Sequence, residues 1–189
     1  MVGAGSAETA RIATFNLHHG APPDRWFRRA VLRRATERLG VDLLAVQEVD
    51  RRNVRTTWCD QVELVAAATG LYPVFARARR ILGGDYGIAL LARSVPTATE
   101  VLALPRFGAE QRVALLASVE LAGGPVSVAV THLQNEERIA IAQLEVVLER
   151  LAARAGPRLL LGDLNARPHV VAPLVEAAGM ALADLPPSF

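Results

Sequence analysis

Arg158-Leu159-Leu160-Leu161-Gly162-Asp163-Leu164-Asn165 is an apolar run that turns polar at its end. Three successive leucines bounded by turn-forming residues read as a short buried strand, and Gly162, Asp163 and Asn165 read as the segment that leaves it. Toward the N-terminus the same arrangement recurs three times: Arg11 to Phe15 is followed by Asn16, Val41 to Gln47 by Glu48, and Val126 to Thr131 by His132. Singly, each has an ordinary explanation, because Asn and Asp are common in turns and a lone His is more often structural than a ligand. Four strand ends bearing side chains that bind metal or phosphate are a different matter. Such ends can converge at one rim of a sheet, where a rigid scaffold presents them to a ligand.

The segments between these strands alternate in texture. A helix is expected from an N-cap at Asp24 to Leu39, with Phe27, Val31, Ala35 and Leu39 inward, four arginines largely elsewhere and Gly40 at the left-handed C-terminal position. A second helix spans Asp60 to Thr69 and stops at Gly70. Between Tyr72 and Val130 short β candidates are separated by Gly83-Gly84, Pro96, Pro105 and Gly123-Gly124-Pro125, the pattern of an antiparallel meander. Within it Val126, Val128 and Val130 alternate with Ser127 and Ala129, as in a strand with one face in the core. Asn135 can cap a long helix with a core stripe of Ala140, Leu144, Val147, Leu148 and Leu151, ended by Gly156 and Pro157. Val170 to Ala178 forms a last short helix. Helices around a β-rich centre fit a layered α/β or α+β sandwich better than strict βαβ alternation, and with no internal repeat or low-complexity linker, residues 1–189 read as one domain.

Composition narrows the class. A chain of 189 residues can bury roughly 70% of its unfolded surface, and 51% hydrophobic against 21% charged residues is ordinary for a folded, soluble domain. All 21 cationic residues are Arg. Arg pairs bidentately with phosphate, yet a formal charge of +2 is no nucleic-acid footprint. The single cysteine, Cys59, excludes an intramolecular disulfide and a multi-cysteine zinc site. Neither a signal-peptide pattern nor an apolar stretch of about 20 residues is present, so no membrane span is expected, and a cytoplasmic location is the default, a secreted origin remaining open. No obligate protein partner is indicated.

The strand-end set contains two carboxylates, Glu48 and Asp163, two carboxamides, Asn16 and Asn165, and no thiolate. Hard oxygen donors of this kind suit Mg²⁺, Mn²⁺ or Ca²⁺. Mg²⁺ is the first choice and Mn²⁺ a substitute, since Mg²⁺ keeps several waters and uses only one or two protein carboxylates: Glu48, with Asn16 or Asp163. Asp163 could then orient or deprotonate a water for in-line attack, while Asn165 and His132 donate hydrogen bonds to phosphoryl oxygens. His18 and His19 are adjacent, so in an extended segment at most one faces the site. Gly83-Gly84-Asp85-Tyr86-Gly87 lacks the spacing of a phosphate-cradling loop and reads as a turn. Arg167 could hold a phosphate or a surface salt bridge, and His169 is a bystander.

Five segments in order carry a family resemblance: Thr14-Phe15-Asn16-Leu17-His18-His19-Gly20, Leu44-Ala45-Val46-Gln47-Glu48-Val49-Asp50, Tyr86-Gly87-Ile88-Ala89-Leu90-Leu91-Ala92-Arg93, Thr131-His132-Leu133 and Gly162-Asp163-Leu164-Asn165. Together they resemble the signatures of the endonuclease/exonuclease/phosphatase superfamily. The resemblance implies an α+β fold, a four-layer αββα sandwich, with divalent-metal-dependent hydrolysis of phosphate esters borne by nucleic acids, lipid head groups or inositol phosphates. By the same resemblance Glu48 is the principal metal ligand, and Asn16 is the asparagine beside metal and phosphate. Asp163 and Asn165 handle the nucleophilic water and the phosphate, and His132 contacts the scissile phosphate or assists proton transfer. Ile88 and Ala92 depart from the pattern, standing where many relatives have Asn and Ser. The Arg-Ile-Asp and Ser-Asp-His segments with which the family closes do not occur in these residues. The expectation is therefore a C-terminally incomplete sandwich, either the greater part of a phosphoesterase or an inactive fragment or module that binds metal or phosphate without turnover.

Overall fold

The computed structural model describes residues 9–21 and 26–183. In chain order its elements are β1 (Ile12–Asn16), α1 (Arg29–Glu37), β2 (Leu43–Arg51), α2 (Gln61–Thr69), β3 (Tyr72–Ile81), β4 (Gly84–Ala92), β5 (Thr97–Ala103), β6 (Val113–Leu121), β7 (Gly124–His132), α3 (Glu137–Ala152), β8 (Arg158–Asp163) and α4 (Pro168–Ala177), with single 3₁₀ turns at His18–Gly20 and Val54–Thr56. The strands form two mixed four-stranded sheets, ordered β1-β2-β4-β3 and β5-β6-β7-β8. β1 runs parallel to β2, and β7 parallel to β8.

Three apolar layers hold the sandwich together. Leu43, Ala45, Ile88, Leu90 and Ala92 of the first sheet meet Val113, Leu115, Ala117, Val128 and Val130 of the second. The alternate residues of the same strands face outward: Leu44, Val46, Ala89 and Leu91 pack under α1 and α2 through Leu32, Val62, Leu64 and Val65. On the other side Ala114, Leu116 and Ala129 pack under α3 and α4 through Leu144, Val147, Leu151, Val171 and Val175. The order of layers is thus helix, sheet, sheet, helix, the αββα arrangement. A strand covered on both faces has no polar side to show, which is why Leu43 to Val46 is a continuous apolar run. Ile88 and Ala92 lie in the inter-sheet core, where apolar side chains need no hydrogen-bond partner.

Local expectations met mixed outcomes. α2 begins with the Asp60 side chain accepting from the Glu63 N–H and ends at Gly70 with φ 71°, and all five residues of the α3 stripe are buried. The α3 N-cap is Glu136, without a side-chain cap bond, where Asn135 was expected. α1 starts only at Arg29, and of its expected inward stripe Phe27, Ala35 and Leu39 are half-buried but Val31 is 48% exposed, its place on the inward face taken by the buried Leu32 and Thr36. A strict four-residue spacing advances roughly 400° and precesses around the helix. The mixed spacing Leu32, Ala35, Thr36, Leu39 keeps to one face. The proposed cap at Asp24 and the final Pro186-Pro187-Ser188-Phe189 segment lie outside the described residues. The meander between Tyr72 and Val130 is divided, with β3 and β4 in the first sheet and β5 to β7 in the second, because the chain crosses the sandwich at the turn containing Pro96. No helix among the described residues is long and apolar enough to cross a membrane.

Candidate active site

The two parallel pairs deliver four of the predicted side chains to one place. The β7–β8 register sets His132 opposite Asp163, and the β1–β2 register sets Asn16 opposite Gln47. Asn16 then ties the sheets together: its Nδ2 donates to Glu48 Oε1 at 3.0 Å and to Asp163 Oδ2 at 3.1 Å, while its Oδ1 accepts from the His18 N–H at 3.0 Å. Two carboxylates 115 positions apart in sequence are therefore bridged by one amide group.

Glu48 reaches this position by a break in its strand. The β2–β4 register shifts between Val46 and Val49, and Glu48 adopts φ 55°. A bulge of this kind re-aims a side chain, and a left-handed backbone on a residue with a Cβ costs on the order of 1–3 kcal/mol. Gln47, beside it, is buried and accepts from Thr14 Oγ1 through its Oε1, while its Nε2 has no partner among the described residues. Asp163 is steadied from the other side, as Oδ1 accepts from the Asn165 N–H at 3.2 Å. Asn165, also left-handed with φ 48°, donates Nδ2 to the Leu133 carbonyl at 2.9 Å, which leaves its second amide hydrogen and its oxygen for other partners.

His132 is 5% exposed. Its Nε2 lies 4.0 Å from Asp163 Oδ2, and its Nδ1 is 2.9 Å from Arg112 Nη1. Burial, reinforced by the Arg112 charge, pushes its pKa down to about 4, so the imidazole is neutral at pH 7. Arg112, itself 5% exposed, also pairs with Glu110 Oε1 at 2.7 Å, and Glu110 Oε2 pairs with Arg79 at 2.7 Å.

Several further neighbours complete the site. Tyr86 is buried, and burial together with the Glu48 charge pushes its phenol up to about 12, which keeps it neutral. The guanidinium groups of Arg55 and Arg79 stack on its ring at 5.4 and 5.1 Å. His19 packs against the same ring, with centroids 5.6 Å apart, and sets Nε2 3.3 Å from Glu48 Oε2. Burial, helped by Arg55, lowers the His19 pKa. His18 also comes within 3.9 Å of Glu48. Both histidines therefore approach one carboxylate, contrary to the expectation for an extended segment, because they lie in a 3₁₀ turn with φ 45° and 56°. Arg167 is engaged by Glu137, at 2.9 and 2.7 Å, and takes no part in the cluster. His169 is exposed on α4, and of the segment expected to be a turn only Gly83 lies in the β3–β4 turn, Gly84 to Gly87 being paired residues of β4.

Gly162 shows why glycine precedes Asp163. Its φ is 149°, and a Cβ there would collide with the Thr131 carbonyl of the paired strand. Gly162→Ala is expected to cost about 2 kcal/mol or more through forced separation of β7 and β8. Urea unfolding would register the loss as a lower midpoint, and an unchanged midpoint would show that the strands yield freely.

The donor chemistry fits a hard divalent cation. In this structure the Asn16 Nδ2 group, a hydrogen-bond donor, occupies the point between two carboxylates, the point that the same carboxylates make favourable for positive charge. Among the described residues no group of three or more His, Cys, Asp or Glu side chains has a metal-holding arrangement. Two carboxylates with two carboxamides and no thiolate would suit an ion that keeps most of its water better than zinc.

The model of the Endonuclease/Exonuclease/phosphatase family matches residues 13–172. Solved structures agree in fold. The endonuclease/exonuclease/phosphatase family protein from Leptotrichia buccalis superposes with TM-score 0.68 at 16% identity, covering 90% of this chain and 73% of that one. A functionally unknown conserved protein from Enterococcus faecalis gives 0.67 at 24% identity, covering 83% and 67%. ANGEL2, a 2',3'-cyclic phosphatase, gives 0.64 at 16% identity over 84% of this chain. The chain spans 53% of the length of that ANGEL2 structure. No curated protein matches the sequence.

Proposed function

The chain belongs to the endonuclease/exonuclease/phosphatase family, and from that premise we propose that it carries the metal-binding and water-activating part of a divalent-metal-dependent phosphoesterase. The observation that carries the reading is the Asn16 bridge, which draws Glu48 and Asp163 to one nitrogen across the two sheets. Glu48 would hold Mg²⁺, or Mn²⁺ in its place, with Asp163 and Asn16 beside it; when bound, the ion supplies charge stabilisation at the phosphoryl oxygens.

The remaining work falls to this chain's own side chains. Asp163, held at Oδ1 by the Asn165 N–H and at Oδ2 by Asn16, is fixed at the rim, where its carboxylate can accept a proton from a water. The water oxygen forms a bond to phosphorus as the ester P–O bond opposite breaks, and the leaving alkoxide departs as the alcohol after taking a proton from solvent. Asn165 and the neutral His132 donate hydrogen bonds to the phosphoryl oxygens, where charge accumulates. The 2',3'-cyclic phosphatase named among the similar structures supports the reaction class, and the strand-end residues support its place in the fold.

The test is hydrolysis of a generic phosphodiester by the 189-residue chain with and without Mg²⁺ or Mn²⁺, alongside a titration of Mn²⁺ binding by paramagnetic relaxation of water. Glu48→Ala is expected to abolish the binding and to lower the metal-dependent rate on the order of a thousandfold. A chain that binds Mn²⁺ through Glu48 without turnover would be a metal-binding module, and a rate unaffected by Glu48→Ala would remove the site assignment altogether.

A further inference from the structure

The proposed reaction leaves two roles open to His132, donor to the phosphate or carrier of a proton, and the contact at its far nitrogen separates them. A guanidinium has five N–H donors and no acceptor. Arg112 Nη1, 2.9 Å from His132 Nδ1, can approach only as a donor, so Nδ1 must offer its lone pair. The single proton of the neutral ring then resides on Nε2, the nitrogen nearer Asp163. We propose that Arg112 is a positioning residue that fixes the His132 imidazole in its Nε2–H tautomer, so that His132 offers the site a hydrogen-bond donor and not a proton acceptor. This rests on the phosphoesterase reading for its use, though not for its geometry.

Arg112 is anchored so that it cannot withdraw. Its Nη2 pairs with Glu110 Oε1 at 2.7 Å, and Glu110 in turn holds Arg79 of the opposite sheet. Its backbone carbonyl accepts from the Leu104 N–H at 3.0 Å and from Gln111 Nε2 at 2.6 Å. The surroundings are nearly closed, with Tyr86, Ile88, Val113 and His132 lining a crevice of only about 10 Å³ beside the guanidinium. A carboxylate at Nδ1, the common partner of a working histidine, accepts a hydrogen bond from Nδ1–H and makes the other nitrogen more basic. Arg112 does the reverse. To carry a proton in transit, His132 would have to become an imidazolium facing a buried guanidinium, with two donors opposed across 2.9 Å. A fixed neutral donor needs no such rearrangement, and it stabilises charge on a phosphoryl oxygen without giving up its hydrogen.

The experiment is a long-range ¹H–¹⁵N correlation spectrum of the full chain labelled with ¹⁵N at histidine, with His132 assigned by its disappearance in His132→Gln. In the wild-type protein at neutral pH, one pattern is expected for His132, with Nε2 protonated and Nδ1 unprotonated. In Arg112→Met the two nitrogen shifts should move toward each other as both tautomers become populated. An Nδ1–H ring or an imidazolium in the wild type overturns the proposal, and so does an Arg112→Met spectrum identical to the wild type. Should Arg112→Met fail to fold, wild-type protein labelled at both arginine and histidine decides the matter. A through-hydrogen-bond coupling between Arg112 Nη1 and His132 Nδ1 supports the proposal, and its absence sinks it. The readout is independent of turnover. A chain with the fixed tautomer and no esterase activity refutes the phosphoesterase reading alone, and an active chain with a proton on Nδ1 refutes the role of Arg112 alone.

Discussion

Asp163→Asn is expected to lower the metal-dependent phosphodiesterase rate by about 10²–10⁴-fold, the usual contribution of a positioned proton acceptor, while leaving the chain folded. The substitution changes one atom's chemistry and almost no volume, so the packing beneath the rim is unaffected. Its consequence lies in the hydrogen bonds. Asp163 accepts at both oxygens, from the Asn165 N–H and from Asn16 Nδ2; an amide can accept at only one, so either orientation sets a donor against a donor. Asn16 would lose one of its two carboxylate partners and the site one negative charge, which weakens cation binding as well as water activation. Both effects are measurable, the first in kcat with a small change in KM, the second in the Mn²⁺ titration. Thermal unfolding within a few degrees of wild type would show that the loss is chemical. A rate reduced less than tenfold would mean that another group accepts the proton.

The residues of this argument were legible to different degrees, for physical reasons. Asn16, Glu48, His132 and Asp163 stand out because each ends an apolar run, and the end of a buried strand is where the chain can first meet solvent or a ligand. Their convergence was an inference from that repetition, and the structure bridges three of them through Asn16 and sets His132 beside Asp163. Tyr86 and His19 lie inside two of the family-like segments but end no apolar run, and Arg112 has neither mark. Arg112 precedes β6 within a polar turn, one arginine among 21, and its meaning comes from Glu110 and His132, which it meets through the pairing of β6 with β7, and from Arg79, which Glu110 reaches only once the two sheets close. The glycines around Tyr86 suggest a turn, although Gly84 to Gly87 belong to β4, and the alternation of an extended segment does not apply to a histidine pair that lies in a 3₁₀ turn. The division of the meander between two sheets is not legible in its turn residues, which mark where a strand stops and say nothing of which sheet the next one joins.

The second large effect concerns the strand just beyond Glu48. Asp50 has a fully buried side chain that accepts from Arg55 Nε at 2.6 Å and Nη2 at 2.7 Å. Its own N–H donates to Gln61 Oε1 at 2.8 Å, and Gln61 Nε2 reaches back to the His19 carbonyl. The ion pair therefore clamps β2 immediately after the left-handed Glu48, and the Arg55 guanidinium also covers Tyr86. Surface pairs contribute little, but removing one partner of a buried pair strands a charge. Arg55→Met is expected to destabilise the fold by about 3–5 kcal/mol, with the urea m-value unchanged. Replacing both partners tests the cause. If the cost is the stranded carboxylate, Asp50→Asn combined with Arg55→Met should be more stable than Arg55→Met alone, since the neutral amide no longer needs a cation. If the double variant is as unstable as the sum of the single ones, the pair acts through packing on Tyr86, and the strained conformation of Glu48 must be held by the bulge and its hydrogen bonds alone.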